Sequence, residues 1–165
     1  VKFVRTRLKL EKQYEDYVIE NKEKHYRIAY SYVKNADDAL DIVQEAVFKA
    51  YVSLNTLKNS EYMKTWFYKI LINSSLDFLR KQKKVVTMDE ENIAAFNDCV
   101  FDEYENIDLN NALDELPGDC RSIVILRFFE DLKIEEIAQI LGENVNTVKT
   151  RLYKSLNKLR IEMND

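Results

Sequence analysis

Between Asn144 and Arg160 the chain carries five cations, Lys149, Arg151, Lys154, Lys158 and Arg160, and not one acid. Wound as a helix of about 3.6 residues per turn, this stretch places Val145, Val148, Leu152, Leu156 and Leu159 on one face. The opposite face then holds Asn146, Thr147, Thr150, Tyr153 and Lys154, with Lys149, Arg151 and Lys158 at its flanks. Short polar side chains near the N-terminus and cations along the length suit a DNA major groove. The first group reaches base edges and the second neutralises phosphates. A solvated basic helix would show the same charges, so the deciding detail lies just upstream.

There Ile134, Ile137, Ala138 and Leu141 form an apolar stripe at helical spacing, and Gly142-Glu143-Asn144 interrupts it. Ala138 lets a second helix cross the first closely. Gly142, four residues on, supplies the left-handed backbone that ends a helix, and Asn144 is a good cap for the next one. This is the helix-turn-helix layout. Arg121 to Glu130, dense in Ile123, Val124, Ile125, Leu126, Phe128 and Phe129, is expected to be the core beneath it.

A second polar face lies on the helix expected from Tyr62 to Lys84. Lys69, Asn73, Asp77, Arg80 and Lys84 recur on one side, and the helix ends in Arg80-Lys81-Gln82-Lys83-Lys84. Amides and cations close to aromatics are what single-stranded nucleic acid requires. Trp66 itself fits the core better, and Arg80 with the basic tail fits phosphate. Asn55 to Glu61 reads as a polar loop leading into this helix.

A third face is apolar where solvent would be expected. Asn35 caps a helix with Asp37 and Asp38 in its first turn, and Ala39, Val43, Ala46, Ala50 and Leu57 form the expected buried stripe. Opposite them stand Phe48 and Val52, ringed by Asp41, Gln44 and Glu45. An apolar centre with a charged rim is the composition of a protein-binding face, unless another helix of the same domain covers Phe48. Leu10 to Val33 precedes it as helix, broken near Asn21.

No cluster offers a nucleophile with a base, or a set of metal ligands, so neither catalysis nor a cofactor is expected. The single histidine, His25, has no Cys or acid cluster at ligand spacing. Two glycines and one proline among 165 residues, with 33% charged, imply an all-α fold. Cys99 and Cys120 do not resemble a disulfide framework and point to a reducing cytosol. No run of about 18 apolar residues exists and no signal-peptide pattern opens the chain, so it is expected neither to span a membrane nor to be exported.

The net charge of −4 conceals three zones. Residues 1–84 hold 17 basic and 11 acidic side chains, residues 85–115 hold 10 acids and no base, and the rest is balanced at 8 of each. Two helical modules therefore flank an acidic stretch, and each can offer a positive surface to a polyanion. The expected domains are 1–84, a mobile acidic linker at 85–106, and 107–165, where helix resumes at Ile107 to Leu116 before the Pro117 boundary.

DDALDIVQEAVFKAY at Asp37 to Tyr51, MKTWFYKILINSSLDFLRK at Met63 to Lys81, and the run from Ala112 to Arg160 resemble, in this order and spacing, the bacterial sigma factors of RNA polymerase. The likeness is to the small extracytoplasmic-function group and, through SYVKNADDALDIVQ and NTVKTRLYKSLNKLR, to its sigma-V type. The resemblance implies two helical domains on a flexible linker. It implies that Asp41, Gln44, Glu45 and Phe48 dock on the clamp helices of the largest polymerase subunit. It implies that Asn73, Asp77 and Arg80, with Lys69 beside them, meet the melted −10 element. The loop holding Asn59, Ser60 and Tyr62 would capture a flipped base of single-stranded DNA. Lys149, Thr150, Tyr153 and Lys154 stand at the matching positions that would read the −35 element as duplex, and Asn146, Thr147 and Arg151 are expected to join them from the same helix. A membrane-anchored anti-sigma factor and a cytoplasmic site of action in bacteria are implied as well. Lys133 stands where a capping Ser or Thr is frequent in the family, Asn144 where Pro is, and Asn146 where Gly is. A dimeric helix-turn-helix regulator acting on a duplex operator is the competing expectation.

Overall fold

The structure, a computed structural model, describes residues 1–86 and 115–164. The acidic linker from residue 87, the helix expected from Ile107, and Cys99 lie outside the described residues. The described residues form helices and no strand. They divide into two compact units, Val1–Phe78 and Leu79–Asp165, each taken by itself below.

In the first unit α1 spans Lys2–Glu20, α2 Lys22–Val33 and α3 Ala36–Val52, and α4, Met63–Val86, begins in it. The expected break at Asn21 is present: its backbone N–H and its side-chain amide both donate to the Tyr17 carbonyl, at 3.1 and 2.8 Å, closing α1. Lys34, at φ 54°, ends α2 in the left-handed conformation. Asn35 then caps α3 by accepting the Asp38 N–H at 3.0 Å.

Ala39, Ala46 and Ala50 are fully buried on α3, and their small side chains let α2 pack closely against it. The buried stripe differs from the expected one in two places. Ile42, not Val43, faces the core, because α3 is rolled toward Ile42 and leaves Val43 half-buried. Leu57 is buried from the segment beyond the end of α3. That segment is not a plain polar loop: Leu54–Thr56 and Ser60–Tyr62 are 3₁₀ turns, and Leu54 is buried with Leu57.

The core is unusually aromatic. Phe67 and Tyr68 of α4 are buried, and Tyr14 packs edge-on against Trp66, with ring centroids 6.3 Å apart. Trp66 thus belongs to the core as expected, half-buried at its edge. The Tyr14 hydroxyl donates to the Val47 carbonyl at 2.6 Å and ties α1 to α3. Burial pushes that phenol up to about 12.

In the second unit α5 spans Gly118–Val124 and continues as a π-helical stretch, Ile125–Phe129; α6 spans Ile134–Leu141 and α7 Val145–Asn164. Pro117 precedes the first helical residue, as a boundary proline should. Ile123, Val124, Ile125 and Leu126 are buried, but Phe128 and Phe129 are 55% and 51% exposed, against the expectation that this whole run is core. The wide turn is the reason: the Glu130 N–H reaches back five residues to the Ile125 carbonyl, at 3.1 Å, and the extra residue turns both rings out of the buried stripe. Leu132 takes up the core position instead. Cys120 is buried in this core.

Candidate nucleic-acid interface

The helix-turn-helix is built as its spacing demands. Gly142 sits at φ 67°, and both its N–H and that of Glu143 bond to the Ala138 carbonyl, the latter at 3.0 Å. Asn144 accepts the Asn146 N–H at 2.8 Å and opens α7. Lys133 has no acceptor to offer as a cap. Glu136 nevertheless takes the Lys133 N–H at 3.2 Å, which is the second half of a capping box. A methyl group on Gly142 would meet nothing within 4 Å, so Gly142→Ala isolates the cost of the left-handed backbone. The expected result is a loss of about 1 kcal/mol, read as a fall of several degrees in melting temperature. An unchanged melting curve would remove Gly142 from its role.

On α7, Val148, Leu152, Ser155 and Leu159 are buried, which aims Asn146, Lys149, Thr150, Tyr153 and Lys154 into solvent. Thr147 is half-buried at the margin. The Thr150 hydroxyl donates to the Asn146 carbonyl at 2.9 Å, which leaves its oxygen lone pairs open to accept from solvent. Arg151 departs from the expected face. It turns back to Glu143, with nitrogen and oxygen 3.5 Å apart, and its side chain is only 15% exposed. Asp119 of α5 belongs to the same neighbourhood: burial raises its carboxyl pKa, the Arg151 charge draws it down and Glu143 pushes it up.

On α4, Lys69, Asn73 and Arg80 lie exposed with Asp77 half-buried among them. The 3₁₀ turn before α4 presents Ser60 and an exposed Tyr62. The Asn59 side-chain oxygen accepts the Glu61 N–H at 3.0 Å, so that atom shapes the turn.

The apolar face of α3 is also open. Phe48 is 68% exposed and Val52 stands beside it, so no described helix of its own unit covers Phe48. Asp41 and Gln44 are exposed around them, and Glu45 pairs with Lys49 at 3.0 Å. A concavity of about 350 Å³ adjoins this patch, lined by Phe48, Val52, Ile70 and Asn73 among others. Leu40 and Tyr51 extend the exposed apolar surface and were not singled out from the sequence, though both lie off the buried stripe. Among the described residues no group of His, Cys, Asp and Glu side chains could hold a metal ion. No described helix is long and apolar enough to cross a membrane.

The sequence profile of Sigma-70 region 2 matches residues 17–85, and that of Sigma-70, region 4, matches residues 107–159. The chain is 56% identical over 146 residues to the RNA polymerase sigma factor SigV of Bacillus subtilis, covering 88% of each. It is 30% identical over 159 residues to the ECF RNA polymerase sigma factor SigW of the same organism, covering 87% of this chain and 85% of that one. Its fold is similar to that of the sigma factor RpoE of Bartonella quintana, solved in complex with the anti-sigma factor NepR, with a TM-score of 0.75 at 24% identity over 93% of this chain and 98% of that one. CnrH, solved with the cytosolic domain of CnrY, is similar at a TM-score of 0.66 and 18% identity, over 92% and 87% of the two chains. Two helical units with a helix-turn-helix in the second, matched by both profiles and by relatives along most of their length, lead to one conclusion: the chain belongs to the sigma-70 family of RNA polymerase sigma factors, in its extracytoplasmic-function group, and acts in transcription initiation.

Proposed function

We propose that residues 1–84 grip core polymerase through Asp41, Gln44, Glu45 and Phe48 and hold single-stranded −10 DNA through Asn59, Ser60, Tyr62, Lys69, Asn73, Asp77 and Arg80. The acidic segment 85–106 links them to residues 107–165, whose α7 sets register on the −35 duplex through Asn146, Thr147, Lys149, Thr150, Tyr153 and Lys154. The observation that carries this reading is the exposed Phe48, an aromatic with an acidic and amide rim on a helix whose other face is buried alanine. A dimeric regulator would spend such a patch on its own dimer contact, so binding to core polymerase is the readout that separates the two. The polymerase places the protein in the bacterial cytoplasm. RpoE was solved with the anti-sigma factor NepR and CnrH with the cytosolic domain of CnrY, which supports an anti-sigma factor as a partner of this chain; the resemblance stated above adds that it is anchored in the membrane.

Run-off transcription with bacterial core polymerase on a pool of upstream fragments tests the reading. Starts at discrete positions that require this protein are expected, and they reveal its −35 and −10 sequences. On those fragments Lys154→Ala should weaken holoenzyme binding across all promoters and reduce the salt slope by about one ion. Active core without new starts, together with failure to co-elute, would overturn the proposal in favour of a dimeric operator-binding regulator.

A further inference from the structure

The side chain of Arg151 lies on the reading helix yet is withdrawn from its reading face. It is 15% exposed, whereas its neighbours Thr150, Tyr153 and Lys154 are open to solvent. Its guanidinium bonds to Glu143 at 3.5 Å, eight residues back and across the turn. Its own carbonyl accepts the Ser155 hydroxyl at 2.7 Å, on the buried side of α7. Asp119, in the first turn of α5, is close enough for the Arg151 charge to act on its carboxyl. The guanidinium is thus committed to the turn through Glu143.

The placement of Glu143 gives this arrangement a consequence for DNA. Glu143 follows the left-handed Gly142 and directly precedes the cap Asn144, so it stands at the N-terminus of α7, where a groove-reading helix comes nearest to bases and phosphates. A carboxylate there would repel the duplex unless neutralised. It would also leave the turn without the tie that fixes how α7 departs from α6.

We propose that Arg151 is a positioning residue for −35 recognition, which braces the Gly142-Glu143-Asn144 turn against α7 and cancels the Glu143 charge without itself contacting phosphate. The inference rests on the reading that α7 meets the −35 duplex. It assigns to Arg151 a task that Lys154 does not share: Lys154 contributes an ion to the salt dependence of binding, and Arg151 contributes none.

The test is a double-mutant cycle on holoenzyme reconstituted from the full chain and core polymerase, bound to a promoter duplex recovered by run-off. Arg151→Gln should lower affinity about fivefold, and in a Glu143→Gln background the same change should cost less than about twofold. Its salt slope should equal that of the unaltered holoenzyme, while Lys154→Ala lowers it by about one. Arg151→Lys, which can still reach Glu143, should recover most of the affinity, and a matching melting curve for the variants separates positioning from unfolding. Additive effects with a slope lowered by about one would make Arg151 a phosphate contact and overturn the proposal. So would a silent Arg151→Gln beside a weakened Lys154→Ala. If neither variant changed binding, the placement of α7 on the duplex would fall, and the brace with it.

Discussion

Phe48→Asp should cost affinity for core polymerase on the order of 100-fold, while the melting temperature of the free protein stays where it was. The two halves of that result come from the two faces of α3. Ala39, Ala46 and Ala50 are sealed against the rest of the unit, so folding depends on them. Phe48 is on the far side, 68% exposed, and contributes little to the core. At the centre of an interface its ring would be buried, and aromatic anchors of this kind dominate binding energy. Aspartate there both removes the ring and carries an unpaired charge into the contact. Phe48→Leu, which keeps an apolar side chain, should retain most of the affinity. Equilibrium binding of labelled protein to core polymerase gives the comparison. Equal affinities for Phe48→Asp and the unaltered chain would detach this face from the polymerase, whatever the transcription assay showed.

The helices of both units were legible because the signals that make them are local. Two glycines and one proline leave little to interrupt a helix, Asn35 and Asn144 are caps by their own chemistry, and Gly142 is the residue type that a left-handed turn needs. The outward faces of α3 and α7 followed from periodicity once the buried stripes were known. Three features were not legible. The roll of α3 toward Ile42 depends on what α2 presents to it, which no single-helix pattern contains. The exposure of Phe128 and Phe129 depends on one extra residue in a turn, and a wheel drawn at constant pitch assigns them to the wrong side. Arg151 has the same composition cue as Lys154, and only the position of Glu143 across the turn separates a brace from a phosphate ligand.

The histidine shows the same limit in the core. Its isolation in the sequence argued against metal or catalysis, and its neighbours now show where it lies. His25 is fully buried, stacked on Phe67 at 4.3 Å between ring centroids and edge-on to Tyr68, with Nε2 3.1 Å from the Tyr17 hydroxyl. Its Nδ1 has no hydrogen-bond partner. With Nε2 donating to the Tyr17 oxygen, Nδ1 remains a bare acceptor, a cheaper state than a buried N–H without a partner. Protonating that nitrogen would place a charge among aromatic rings.

Acidification should therefore destabilise the protein through His25 in a defined window. Burial, reinforced by the charge of Lys24, lowers the His25 pKa to about 4, whereas in the unfolded chain an imidazole titrates near 6.5. Between those values the unfolded state holds a proton that the folded state does not, so stability rises with pH across the interval. The contribution is complete above about pH 6.5 and is lost as the pH falls toward 4, a total on the order of 3 kcal/mol. Urea unfolding at closely spaced pH values should show this loss. His25→Phe keeps a ring against Phe67 and has nothing to protonate, so its stability should be flatter over the same interval. Parallel losses in the two proteins would mean that carboxylates, not the buried imidazole, set the acid sensitivity.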